Sequence, residues 1–153
     1  MSYRLLCLDL SGMLIDWHPE CLYRKLFGDE RQMRWFLSHV CTTAWNEQQD
    51  AGRLFAEGTR LLVQRFPEWA LMIQAYCKCW EEVLAGPIEP SIAFLHKLKK
   101  RGYPRLLVLA NWSAETFPIV RQRFDFLDWF EGIVVSGEEG TRKPFPKFIG
   151  ACW

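Results

Sequence analysis

Arg4-Leu5-Leu6-Cys7-Leu8-Asp9-Leu10-Ser11-Gly12-Met13-Leu14 decides how the rest of the chain is read. A short apolar run carries a single carboxylate at its end, and Gly12 then lets the backbone turn. An apolar run without alternation fits a strand covered on both faces, as in a parallel α/β sheet. An aspartate at the carboxyl end of such a strand stands where open α/β sheets bind their ligands. The plainer reading is an Asp in a strand-to-loop turn, where it serves local hydrogen bonding. The pattern alone leaves both open.

Working outward, 153 residues suffice for one ordinary domain or a core with a modest insertion. Half are hydrophobic and 24% charged, a globular composition. Eight Trp and eleven Phe predict a large aromatic core, and apolar surface for a partner or further segment to cover. The net charge of +1, with neither half strongly basic, lacks the footprint of a nucleic-acid binder. No apolar stretch reaches the ~18 residues of a membrane span, and no signal-peptide pattern opens the chain, so a cytoplasmic protein is expected. Cys77 and Cys79 stand one residue apart, with no second close pair and no nearby His, which argues against zinc. The six cysteines read as reduced, small hydrophobes, and His18, His39 and His96 are isolated in sequence.

After Asp9 the stretch Ile15-Asp16-Trp17-His18-Pro19 reads as a loop, with Pro19 suited to open a helix. Helical spacing then runs in pieces to Val40, broken at Gly28-Asp29. A short polar segment around Trp45 ends at Gly52. Leu54, Phe55, Leu61, Leu62 and Phe66 form an amphipathic helix ended by Pro67, and an apolar stripe from Trp69 to Leu84 forms the next, closed by Gly86-Pro87. A helix is predicted from about Pro90 to Arg101, then a strand over Leu106-Leu107-Val108-Leu109-Ala110. Ser113 is placed to cap a helix running to about Phe124. A third strand, Gly132-Ile133-Val134-Val135-Ser136, precedes a loop through Pro144. This order describes one parallel α/β layer with a helical excursion after its first strand.

With these segments placed, the sequence resembles the haloacid dehalogenase (HAD) superfamily of hydrolases with a helical cap. It is most similar to the subgroup of small sugar- and metabolite-phosphate phosphatases near the 2-haloacid dehalogenases. The residues that carry the resemblance are Leu8-Asp9-Leu10-Ser11-Gly12, Leu109-Ala110-Asn111-Trp112-Ser113 and Arg142-Lys143-Pro144, in that order, with the helical insert after the first. Phe126-Leu127-Asp128-Trp129-Phe130 and Val135-Ser136-Gly137-Glu138-Glu139-Gly140 also look like that subgroup. The resemblance implies a HAD-like Rossmannoid parallel sheet, with three strands in this chain. It implies a core over residues 1–15 and 87–153 and a cap over 16–86.

The resemblance also assigns roles. Asp9 matches the nucleophile, which attacks phosphorus or the carbon bearing halogen and gives a covalent aspartyl intermediate that water hydrolyses. A carboxylate is already ionised at neutral pH and needs no base. Lys143 matches the lysine that, with Mg²⁺, gathers the phosphate's negative charge beside it. Asn111 and Ser11 are placed to contact the substrate, a small phosphorylated metabolite, and Asp9 is also a metal ligand.

Three departures bear on activity. Ser11 stands where many family phosphatases carry a second Asp as general acid, although the closest subgroup tends to lack it; serine is a poor acid at neutral pH. Ala110 replaces a Ser or Thr; one lost hydrogen bond to a charged phosphate costs about 1.5–3 kcal/mol, roughly ten- to a hundredfold in rate. Nothing after Lys143 supplies the acidic fourth motif, so Mg²⁺ is expected to bind weakly and the chain to be a C-terminally shortened family member. The first strand would then present an open apolar edge, a route to a homodimer. A metal-independent 2-haloacid dehalogenase, drawing an arginine such as Arg24, Arg31 or Arg34 from the cap, is the alternative enzyme. A non-catalytic module that binds another chain is the alternative outside enzymology.

Overall fold

Leu5–Leu8 forms the first strand, β1, as its apolar run requires. The computed structural model describes residues 5–102 and 105–152; Arg4 of the opening stretch lies outside them. The chain then runs β2 (Ile15–Trp17), α1 (Pro19–Tyr23), α2 (Glu30–His39), α3 (Thr43–Asp50), α4 (Phe55–Arg65), α5 (Ala70–Lys78), β3 (Leu84–Pro87) and α6 (Glu89–Lys100). It ends with β4 (Arg105–Ala110), α7 (Phe117–Arg123), β5 (Gly132–Val135), α8 (Ser136–Glu139) and α9 (Pro146–Ile149). Single 3-10 turns cover Pro67–Trp69, Trp80–Val83, Asp125–Trp129 and Gly150–Cys152.

The main sheet has the order β1-β4-β5 and is parallel throughout. Leu6 pairs with Leu106 and Leu8 with Val108; Leu107 pairs with Gly132 and Ala110 with Val135. β4 takes the middle because Leu106, Val108, Leu109 and Ala110 are all buried. β1 forms one edge of the sheet among the described residues. The carboxyl ends of β1, β4 and β5 point the same way, so the segments that follow them converge on one rim. Asp9 follows β1 and Asn111 follows β4.

Helices α1 to α5 form a second layer around an aromatic core. Tyr23 packs on Phe36 with ring centroids 5.0 Å apart, and Trp45 meets Tyr76 edge-on at 5.2 Å. Such pairs add about 0.5–1.5 kcal/mol each beyond the area they bury. Two helices start where a polar residue satisfies an orphan N–H. The Asp29 carboxylate accepts from Arg31 N at 2.8 Å, and Thr42 Oγ1 accepts from Trp45 N at 3.1 Å. Among the described residues no helix is long and apolar enough to cross a membrane.

Several local expectations are corrected. Ile15–Trp17 is a strand, not a loop, because it pairs antiparallel with Leu84–Pro87, so this two-stranded ribbon joins both ends of the helical layer. The polar segment around Trp45 is helix α3; Trp45 and Gln49 face inward one turn apart, a stripe too narrow to register as amphipathic. The apolar stripe from Trp69 to Leu84 is broken: α5 ends at Lys78, a 3-10 turn follows and Leu84 enters β3. Ser113 caps only a turn, its Oγ accepting from Glu115 N, and the helix begins at Phe117 beside Pro118. The loop after β5 opens with the short helix α8, so Ser136 is helical rather than the end of the strand.

Candidate active site

Asp9 leaves β1 at the carboxyl rim, and its Oδ1 accepts from Leu10 N at 2.7 Å. Gly12, with φ of +73°, turns the chain back, and Gly12 N donates to Ile15 O. That turn buries Leu10 and Leu14 and leaves Asp9 about half exposed. Lys143 reaches the same carboxylate, with Nζ 2.8 Å from Oδ1. Asn111 explains how a lysine from a distant loop arrives there. Its Oδ1 accepts from Lys143 N at 2.8 Å and its Nδ2 donates to Lys143 O at 3.2 Å, so both ends of the amide clamp the lysine backbone. Ser11 forms an isolated bridge with Ile15 and lines the adjoining cavity, as Asn111 does. The four residues singled out from sequence thus come together at one rim.

The cavity, of about 150 Å³, lies between this rim and the helical layer. Trp17, Phe55, Trp80 and Trp112 give it aromatic walls. Helix α3 contributes Asn46, Glu47 and Asp50 to its lining. Three contacts tie the helical layer to the sheet layer. Arg142 Nη2 pairs with Glu47 Oε2 at 2.9 Å, Glu115 Oε2 accepts from Phe55 N at 2.6 Å, and the buried Ser136 hydroxyl donates to Asp50 O. Gly137 lets the loop after β5 approach the loop after β4: a Cβ there would stand 2.3 Å from Ala114 N and 2.8 Å from Trp112 O. The two rim loops therefore touch backbone to backbone.

Asp50 is the residue that sequence reasoning missed. Burial pushes its carboxyl up to about 7; the Arg142 guanidinium opposes that rise and the Glu47 carboxylate adds to it. A short network fixes it. Tyr76 Oη donates to Asn46 Oδ1 at 2.8 Å, which turns Asn46 Nδ2 toward Asp50 Oδ2, 3.3 Å away. Tyr76 remains a donor, because burial raises its phenol well above the usual value. The signal was present in the amide and carboxylate run Asn46-Glu47-Gln48-Gln49-Asp50 behind a Thr N-cap, but reading it required the segment to be a helix.

At the rim the described residues offer Mg²⁺ the Asp9 carboxylate and no cluster of acidic ligands. The cation needs near-octahedral oxygen coordination at close range. Asp9 Oδ1 is engaged by Leu10 N–H and the Lys143 ammonium, and among the described residues no group of three or more His, Cys, Asp or Glu is placed to hold a metal ion. Arg24, Arg31 and Arg34 do not line the cavity; Arg34 is paired with Glu30 at 2.6 Å and Arg31 is almost fully exposed.

No protein-family model matches the sequence, and no curated protein matches it. Solved structures do. The HAD family enzyme BT-2542 of Bacteroides thetaiotaomicron superposes with a TM-score of 0.66 at 20% identity, over 97% of this chain and 75% of that one. A mutant of that enzyme, in complex with magnesium and inorganic phosphate, superposes with a TM-score of 0.67 at 19% identity, over 99% of this chain and 77% of that one. L-2-haloacid dehalogenase from Xanthobacter autotrophicus, with chloropropionic acid covalently bound, gives 0.62 at 14% identity, over 99% of this chain and 64% of that one. Three parallel strands in the order β1-β4-β5 and a helical layer inserted after the first are features of one architecture: the chain has the haloacid dehalogenase fold.

Proposed function

We propose that the chain is a hydrolase of small phosphomonoesters that works through an aspartyl-phosphate intermediate. The observation that carries this reading is the 2.8 Å contact between Asp9 and Lys143 at the carboxyl rim of a parallel sheet. Asp9 attacks phosphorus and the ester P–O bond breaks. Lys143 draws the phosphate oxygens beside the attacking carboxylate and offsets the negative charge gathered there. Asn111 is a positioning residue, since it grips the Lys143 backbone from both sides. Residues 16–86 serve as the cap over a core made of 1–15 and 87–153. BT-2542, solved with magnesium and inorganic phosphate, lends support to a phosphorylated substrate. Asp9 would hold Mg²⁺ together with water and substrate oxygens, and the ion would offset negative charge on the phosphate.

Phosphate release from 4-nitrophenyl phosphate, lost in Asp9→Asn, is the expected result. The assay is run with Mg²⁺ and with chelator. No release by the unaltered chain under either condition would sink the reading.

A metal-independent 2-haloacid dehalogenase is the second reading, supported by the superposition on L-2-haloacid dehalogenase. The same Asp9 would then attack carbon and expel halide. Chloride release from 2-chloropropionate, without phosphate release from the nitrophenyl ester, would select it.

A further inference from the structure

We propose that Asp50 is the acid–base residue of this active site, supplied by helix α3 to the cavity that Asp9 also lines. The assignment rests on the phosphatase reading. In-line displacement puts the leaving oxygen on the side of phosphorus away from the attacking carboxylate. That oxygen therefore points away from Asp9 into the cavity, to whose lining α3 contributes Asn46, Glu47 and Asp50. As the P–O bond breaks, the Asp50 carboxyl gives its proton to the leaving alkoxide, which departs as an alcohol. Asp50, now a carboxylate, takes a proton from the water that attacks the aspartyl phosphate; inorganic phosphate and the Asp9 carboxylate are released and Asp50 is protonated again. The atoms balance without a further reactant.

Two observations besides position support the role. Ser11, which lines the cavity beside Asp9, is an alcohol and a poor proton donor at neutral pH. Asp50 is held by the Tyr76–Asn46 chain rather than by a cation in direct contact. The charged groups near it are Glu47 on its own helix and Arg142 from the loop after α8, which are paired with each other, while Asp9 and Lys143 are paired at the rim. Tyr76 from α5 is neutral. Burial pushes Asp50 up to about 7, so it carries its proton through the lower half of the neutral range.

The test compares two leaving groups. A 4-nitrophenolate departs without a proton, whereas the alkoxide of 2-glycerophosphate does not. In Asp50→Asn, kcat/KM for 2-glycerophosphate is expected to fall about 100-fold or more, and for 4-nitrophenyl phosphate less than about tenfold. The unaltered protein tests the same point without a variant: its kcat/KM for 2-glycerophosphate declines above about pH 7 more steeply than for the nitrophenyl ester. Equal losses on both esters, or identical pH profiles, would overturn the Asp50 assignment while leaving the phosphatase reading intact. No turnover of either ester by the unaltered chain would instead overturn the phosphatase reading, and this one with it.

Discussion

Two carboxyl groups face one cavity, and their surroundings differ in almost every respect. Asp9 stands at a strand end, about half exposed, with a lysine ammonium 2.8 Å away. Asp50 stands on a helix, half buried among an amide, a phenol and aromatic rings, and burial keeps its proton on until about pH 7. One wall thus presents a carboxylate against a cation and the other a carboxylic acid against dipoles. Groups whose environments drive them to opposite protonation states are suited to opposite tasks, one to attack and one to donate. The difference teaches that the helical layer is more than a lid: it completes the chemistry the rim lacks.

The largest expected effects lie on the rim. Asp9→Asn removes the attacking oxygen's charge while keeping its shape, and a drop in kcat of about 10⁴-fold or more is expected on 4-nitrophenyl phosphate. Residual activity within about tenfold of the unaltered chain would break the comparison by removing Asp9 from the nucleophile's role. Lys143→Met keeps the chain length but deletes the ammonium, with an expected loss of about 10²–10³-fold. Steady-state kinetics check both.

The two walls also differed in how far they could be read from sequence. Leu5 to Asp9 and Leu106 to Asn111 are short, wholly apolar runs that end on polar residues. Strand type and rim position therefore follow from a few neighbouring side chains, and the parallel sheet formed as expected; burial on both faces did not extend to the edge strand, where Leu5 and Leu6 are half-buried and Cys7 is exposed. Lys143 was legible only through its neighbours in the resembling motif; its reach to Asp9 depends on the Asn111 clamp, a contact between distant segments. Helix α3 was not legible at all. Its moment is small because only Trp45 and Gln49 turn inward, and a buried glutamine looks polar in any pattern. Gln49 is buried because Trp45 O accepts from its Nε2 and Arg53 donates to its Oε1, neither of which spacing reveals. The β2–β3 ribbon escaped for a similar reason: three- and four-residue strands are set by pairing across the helical layer, not by their own pattern.

A smaller effect concerns stability, and it separates the two walls without an assay. Between about pH 4 and pH 7 the folded chain holds the Asp50 proton and the unfolded chain does not. Raising the pH through that window therefore favours the unfolded state, and the destabilisation is complete above about 7. Allowing for the part of Asp50 that keeps contact with water, the cost is about 2–3 kcal/mol. Asp50→Asn carries no titrating proton. Its urea-unfolding free energy should exceed that of the unaltered chain by about this amount at pH 8 and converge with it near pH 4. A constant difference across the range would show that Asp50 is not the group responsible.

The smallest expected effect tests the network behind Asp50 and needs a matched control. Tyr76 and Tyr23 are both fully buried; the Tyr76 hydroxyl donates to Asn46 Oδ1 at 2.8 Å, and that of Tyr23 donates to Met72 O at 2.9 Å with Cys41 Sγ a second partner at 3.7 Å. Replacing either with Phe keeps the ring packing and removes a buried hydroxyl, so each variant should lose about 1 kcal/mol in urea unfolding. The consequences beyond stability differ. Without Tyr76 Oη nothing fixes the Asn46 amide, and Asp50 loses a steady donor to its ionised form; its titration, followed by carboxyl NMR, moves further upward. Tyr23→Phe lies away from the cavity and leaves that titration in place. Should both variants shift Asp50 equally, its protonation would reflect the packing of the helical layer as a whole, and the Tyr76–Asn46 chain would have no part in setting the acid.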